Sequence, residues 1–119
     1  MREVAEDLRV RVDAALAAGV RAERLVVDPG IGFSKSGAEN WRLLAHLDAL
    51  RIDGTRMLVG VSRKRFLGDL VPGAPEARDG VTAVLSALLV ERGVWGLRVH
   101  DPAGTRAAVD VVHRMRDAA

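Results

Sequence analysis

Arg24-Leu25-Val26-Val27-Asp28-Pro29-Gly30 sets the fold class. A short β-branched run, closed at once by Pro and Gly, is too short for a helix. It carries no polar face, so it reads as a strand buried on both sides, the kind that belongs to parallel sheets. Upstream, Val4, Ala5, Leu8, Val12, Ala15 and Leu16 recur at three and four ahead of Gly19, which predicts an amphipathic helix over Arg2 to Ala18. Downstream the same alternation repeats. Residues 29 to 37 read as loop, and Ala38 to Leu50 as a helix through Trp41, Leu44, Ala45 and Leu47. A second strand is predicted over Met57 to Val61.

A basic segment, Ser62-Arg63-Lys64-Arg65-Phe66-Leu67-Gly68, follows, and Pro72, Gly73 and Pro75 predict a mobile loop. Asp79 to Arg92 has the spacing of a helix whose apolar face is Val81, Val84, Leu85, Leu88 and Leu89. Gly96 to His100 is the third predicted strand. Asp101 then caps a last helix with Pro102 in its first turn, running through Ala107, Ala108, Val111, Val112 and Met115. One helix and then three strand–helix units, at the pitch of roughly 30 or more residues expected of βαβ units, make the class α/β with parallel strands. Three such strands are a poor free-standing sheet, because a parallel sheet needs covered faces and protected edges. Residues 1–119 are therefore expected to be one portion of a larger repeating β/α domain.

Composition narrows the functions. The chain has 119 residues, 49% hydrophobic and 29% charged, with 18 Lys+Arg against 16 Asp+Glu. That is globular composition with nearly balanced charge, and with 3% aromatic residues it gives no basic, aromatic-laced footprint for nucleic acid. The absence of cysteine excludes a disulfide framework, Cys-ligated zinc and a thiol nucleophile. Arg2, Glu3, Glu6 and Asp7 stand where a signal peptide would carry its apolar core, so a cytoplasmic location is expected. Apolar stretches such as Val81 to Val90 are far shorter than the roughly 20 residues a membrane span requires.

In parallel α/β folds ligands sit beyond the carboxyl ends of the strands. Those ends read Asp28-Pro-Gly-Ile-Gly-Phe33, Val61-Ser-Arg-Lys-Arg-Phe66 and Arg98-Val-His100-Asp101. Strand alternation puts Ser62 with Lys64, and Arg98 with His100, on common faces. One carboxylate and several cations then converge on one mouth, which suits a ligand with a planar donor edge and phosphates. Each string also has a plainer reading. Asp28-Pro29-Gly30 alone is an ordinary turn, Gly30-x-Gly32 lacks dinucleotide spacing, and Arg63-Lys64-Arg65 alone is a solvated basic turn. Arg98 and His100 are the stronger pair, since two ionisable groups alternating on an apolar strand are costly unless paired or used. His46 and His113 fall on polar helix faces, and Trp41 and Trp95 read as packing residues.

Taken together and in this order, DPGIGF, GVSRK and RVHD resemble the C-terminal part of the dihydropteroate synthases, of the pterin-binding family. The resemblance spans essentially the whole chain and is most specific from Leu25 to Asp101. It implies an incomplete (β/α)8 TIM barrel: the last three βα units, preceded by one helix, of a domain of roughly 250 residues. It also implies a folate-pathway transferase that joins 6-hydroxymethyl-7,8-dihydropterin diphosphate to 4-aminobenzoate, releasing diphosphate, and that sulfonamides target by mimicking the aminobenzoate. Under it, Asp28 matches the carboxylate pairing with the pterin 2-amino and N3 edge. Lys64 matches the lysine donating to the pterin carbonyl and ring nitrogen. Arg98 matches the arginine over the pterin that reaches towards phosphate, and His100 the diphosphate-binding histidine. Lys64, Arg98 and His100 are thus the catalytic candidates, and Gly32, Phe33, Ser62 and Arg63 fall in the aminobenzoate and sulfonamide pocket.

The family's magnesium-binding asparagine, near its first strand, has no counterpart in this chain, and neither do the pterin-pairing carboxylate and asparagine of its middle strands. No metal ligand is expected here. The magnesium is expected from the missing N-terminal part, and the isolated chain is expected to be inactive, self-associated or homodimeric. The competing expectations are a paralogue without synthase activity and a non-enzymatic, self-associating binding module.

Overall fold

The computed structural model describes residues 1–33 and 36–119; of the loop expected over 29 to 37, Ser34 and Lys35 lie outside the described residues. Three parallel strands, β1 (Val26–Val27), β2 (Arg56–Val59) and β3 (Gly96–Leu97), form one sheet in the order β1-β2-β3. Val26 pairs with Arg56 and Val27 with Met57, while Leu58 pairs with Gly96 and Val59 with Leu97. Among the described residues four α-helices accompany them: α1 (Arg2–Ala17), α2 (Gly37–Ala45), α3 (Asp79–Glu91) and α4 (Pro102–Asp117). The α/β class and the parallel order expected from the sequence are therefore present. The bonded strands are shorter than the apolar runs, because β1 and β3 each have a partner on one side only and the ladder stops where the chain turns towards its loops.

The alternation of the strands separates two faces. Met57 and Val59 join Leu43, Leu44, Leu47, Leu50, Phe66, Leu67, Leu85 and Leu89 in the core beneath α2 and α3, and Val27, in register with Met57, is buried as well. The opposite face carries Val26, which is 46% exposed, with half-buried Leu58 and Gly96. Continuing that alternation past the strand ends places Asp28, Gly60, Ser62, Arg98 and His100 on this same face.

Several local expectations are corrected. The helix expected over Ala38 to Leu50 starts at Gly37, because Ser36 caps it: Glu39 N–H donates to Ser36 Oγ and Ser36 N–H to the Glu39 carboxylate, both at 3.2 Å. It ends at Ala45, where Arg92 from the end of α3 donates to the carbonyls of Leu44 (3.0 Å) and Ala45 (3.1 Å), and a separate 3₁₀ turn, Leu47–Leu50, buries both leucines. Of the loop expected at Pro72, Gly73 and Pro75, residues 71–74 are irregular, while Pro75 opens a 3₁₀ turn, Pro75–Arg78, leading into α3.

On α3 the buried residues are Thr82, Leu85, Ser86 and Leu89, whereas Val84 and Leu88 point outward. On α4 Thr105 and Val112 are buried, and Val111 and Met115 are exposed. The cause is common to both: α3 and α4 pack chiefly on one another, which selects a narrower stripe than apolarity alone marks. Asp101 does cap α4, accepting from Gly104 N–H, with Pro102 at its first position. Trp41 packs edge-on against Phe66, with ring centroids 5.1 Å apart, as a packing residue should. Trp95 is mostly exposed, with the Arg56 guanidinium over its ring; it ends up outside because it immediately precedes the edge strand β3. His46 and His113 are on the surface, as expected. No helix is long and apolar enough to cross a membrane, among the described residues.

Candidate functional site

The site is built where the three strands run out. At the end of β1, Asp28 Oδ1 accepts Gly30 N–H at 2.9 Å, which shapes the Asp28-Pro29-Gly30 turn, while Oδ2 accepts from Arg98 Nη1 at 3.0 Å. This ion pair links residues 70 apart in sequence across the whole sheet. Its side chains are 36% and 53% exposed, so it contributes little to stability; its consequence is to hold a carboxylate and a guanidinium side by side at the mouth. The guanidinium can reach Asp28 because the strand between them has no side chain at residue 60: a Cβ there would stand 2.8 Å from Arg98 Cζ.

The loop after β1 is fixed from below. Ile31 is fully buried, and Gly32 N–H donates to Oδ1 of Asn40, a buried residue of α2, at 2.8 Å. Gly32 has φ +87°, and a Cβ on it would meet Lys64 Cδ at 2.8 Å. Glycine is thus required twice, by its backbone and by the lysine stem lying over it. Lys64 Nζ sits 4.0 Å above the centre of the Phe33 ring, a cation–π contact. Asn40 was not singled out from the sequence. A polar residue directly before Trp41, on a face otherwise occupied by Leu43 and Leu44, was the available signal.

After β2 the chain turns sharply. Lys64 N–H donates to the Val61 carbonyl, and Arg63 adopts φ +58°, an uncommon conformation for a side-chain-bearing residue. The turn is held from α3. Arg63 Nε and Nη2 donate to the two carboxylate oxygens of Asp79 at 2.9 and 3.0 Å, and Arg78 donates to the Arg63 carbonyl at 2.9 Å. Hydrogen bonding from Arg63 holds the Asp79 carboxyl below the usual carboxylate range, helped by the positive charge of Arg63 and by His100; the same bond raises Arg63. Arg63 therefore faces α3, whereas Lys64, next to it, faces the mouth. Asp79 and Thr82 were read from the sequence only as the first turn of a helix and Arg78 was not singled out, and nothing local marks them as partners of Arg63, 15 to 19 residues earlier.

Buried Ser62 completes the site. Its Oγ accepts His100 N–H at 3.0 Å and lies 2.8 Å from His100 Nδ1. Phe33, Gly60, Ser62, Lys64, Arg98, Val99 and His100 line one cleft of about 250 Å³, with Asp28 at its edge through Arg98. A larger groove of about 440 Å³ runs between α1 and the free edge of β1, from Val4 and Leu8 to Asp28 and Gly30. Of the residues picked from sequence, Phe33, Ser62, Lys64, Arg98 and His100 line the cleft, Asp28 and Gly32 border it, and Arg63 is turned away. Lysine, arginine and a histidine on one wall are donors that can meet an anion, and Asp28 is an acceptor that can meet a planar donor edge. Among the described residues no three His, Asp or Glu side chains converge.

The model of the pterin binding enzyme family matches residues 1–100. The chain belongs to that family. It is 50% identical over 116 residues to the dihydropteroate synthase of Mycobacterium leprae, covering 92% of this chain and 40% of that one. Among solved structures, the dihydropteroate synthase of Xanthomonas albilineans in complex with 7,8-dihydropteroate is 42% identical with a TM-score of 0.91, over 97% of this chain and 44% of that chain. The same enzyme has been solved with 4-aminobenzoic acid, at a TM-score of 0.87, 42% identity and 98% and 44% coverage. The Yersinia pestis enzyme in a sulfonamide drug complex is 33% identical with a TM-score of 0.92, over all of this chain and 43% of that one. The chain thus spans less than half the length of these relatives.

Proposed function

We propose that this chain is the C-terminal three βα units of a (β/α)8 barrel, and that it supplies the anion- and pterin-facing wall of a dihydropteroate synthase. One observation carries the reading: Lys64, Arg98 and His100 converge on a single cleft, with Asp28 held beside them by Arg98. In the reaction, the bond between the pterin methylene carbon and diphosphate oxygen breaks as the aminobenzoate nitrogen bonds to that carbon, and the amine then loses a proton to solvent. No protein nucleophile is needed. What the wall must do is position the two substrates and stabilise the negative charge that builds up on the departing diphosphate.

Arg98 and His100 are suited to the diphosphate. Asp28 accepts from the pterin amino and ring N–H edge once Arg98 turns to phosphate, and Lys64 donates to the pterin carbonyl. Phe33 and the Gly32 turn border the space for aminobenzoate or a sulfonamide, with Ser62 behind them. Arg63 acts from one remove, holding through Asp79 the turn that aims Lys64. Magnesium is bound by carboxylates and phosphates. The cleft's own side chains are donors, and its one carboxylate is held by Arg98, so these residues do not fit the metal and no step is assigned to it.

The free edges of β1 and β3, the open face of the sheet and the outward Val84, Leu88, Val111 and Met115 support a further part of the proposal. The chain works only with the rest of a barrel, and alone it self-associates. Coexpression with the complementary part of the Xanthomonas albilineans enzyme, followed by a diphosphate-release assay and sedimentation, tests both statements. Turnover is expected from the pair and none from the 119-residue chain alone. A compact, active monomer overturns the reading.

A further inference from the structure

Ser62 Oγ makes two contacts with one residue. It accepts the backbone N–H of His100 at 3.0 Å and stands 2.8 Å from Nδ1 of the same residue's ring, and Ser62 is 4% exposed. The backbone contact has a clear origin. Arg98 N–H donates to the Val59 carbonyl, so the next rung of the ladder would run from His100 N–H to the Val61 carbonyl. That carbonyl is taken by Lys64 N–H in the turn after β2. The Ser62 hydroxyl supplies the missing acceptor.

The ring contact then has one arrangement that uses every group. A serine hydroxyl has one proton and two lone pairs, and His100 N–H occupies one lone pair. If the ring proton were on Nδ1, both nitrogens would donate to the same oxygen, and the hydroxyl proton would be left in a buried position with no acceptor. With Nδ1 bare, the hydroxyl donates to it and nothing is orphaned. We infer that Ser62 is a positioning residue that holds neutral His100 as its Nε2–H tautomer, so that the imidazole, which lines the cleft together with Ser62, presents its N–H donor on the side of the ring away from the Ser62 hydroxyl. The value of that donor for a departing diphosphate rests on the synthase reading; the tautomer does not. His46 provides the opposite case in the same molecule: its Nδ1 lies 2.9 Å from the Arg42 carbonyl, which can only accept, so its proton is on Nδ1.

The assignment is tested on the full chain labelled with ¹⁵N-histidine, by long-range proton–nitrogen correlation at alkaline pH, where the rings are neutral. His100 is expected to show a bare Nδ1 and a protonated Nε2 at their limiting separation, His46 the reverse, and exposed His113 the averaged values of a free ring. Ser62→Ala should bring the His100 nitrogens towards the His113 values and abolish hydrogen-exchange protection of the His100 amide. Ser62→Thr, which keeps the hydroxyl, should retain both. A protonated Nδ1 on His100 in the unsubstituted chain overturns the inference, and so does a Ser62→Ala spectrum with His100 unmoved. Diphosphate release by the complemented barrel is read separately: the expected tautomer without turnover counts against the synthase reading and leaves the Ser62 assignment standing.

Discussion

The Arg98 guanidinium lies flat across Gly60 to reach Asp28, with its Cζ 2.8 Å from where a Cβ of residue 60 would be. The sheet thus carries a gap in its middle strand, shaped for a side chain from its edge strand. Gly60→Ala is expected to lift Arg98 off the sheet and separate it from Asp28 while leaving the core beneath intact. An Arg98 displaced in this way would miss the phosphate, and loss of that one charge-assisted contact, about 1.5–3 kcal/mol, would weaken pterin diphosphate binding by roughly 10- to 100-fold. Calorimetric titration in the complemented barrel measures it, and unchanged affinity would refute the role given to Arg98.

Lys64 and Arg63 are neighbours with opposite commitments, so their substitutions should separate. Lys64→Ala is expected to lower kcat/KM by roughly two orders of magnitude with little change in melting temperature, since its ammonium faces the cleft. Arg63→Ala should act mainly on stability, through the loss of Asp79. Arg63→Ala, Asp79→Asn and the double variant should melt at nearly the same temperature, because each breaks the same contact. Equal, small kinetic effects at both positions would sink the assignment of Lys64.

The depressed Asp79 carboxyl predicts a pH dependence of fixed sign. A carboxyl held below its unfolded value contributes stability above about pH 4, and that contribution is lost as the pH falls through the folded value. Hydrogen exchange over residues 62 to 79 should therefore accelerate on acidification below about pH 4 more in the unsubstituted chain than in Asp79→Asn. Parallel profiles for the two would remove Asp79 as the source.

Phe33 meets the Lys64 ammonium at the mouth of the cleft. Phe33→Leu keeps an apolar side chain but removes the ring, which should cost about 0.5–1 kcal/mol, or roughly two- to fivefold. The loss is expected in sulfonamide and 4-aminobenzoate affinity, with pterin affinity nearly unchanged. Titration of each ligand separately decides it, and the reverse pattern would invert the map of the cleft.

The order of elements, the parallel class and the strand ends on which the site stands are all legible in the residues alone. These follow from local rules: the unbroken apolar run at Leu25 to Val27, period-3.6 stripes, the Asp101–Pro102 cap and strand alternation, each acting within a few residues. The sequence also marked Arg98 and His100, because two ionisable side chains alternating on an apolar strand need partners, while Asp28 and Lys64 stood out through the resemblance of DPGIGF and GVSRK. Which partners they take depends on how distant segments pack. Arg98 meets Asp28 over Gly60, Ser62 meets His100, and Arg63 leaves the cleft for Asp79, through bonds that span 16 to 70 residues. The same holds for the outward turn of Val84, Leu88, Val111 and Met115. A helix's periodicity says which residues share a stripe, but which part of the stripe is buried depends on the neighbour that packs there, and that neighbour is set by the sheet.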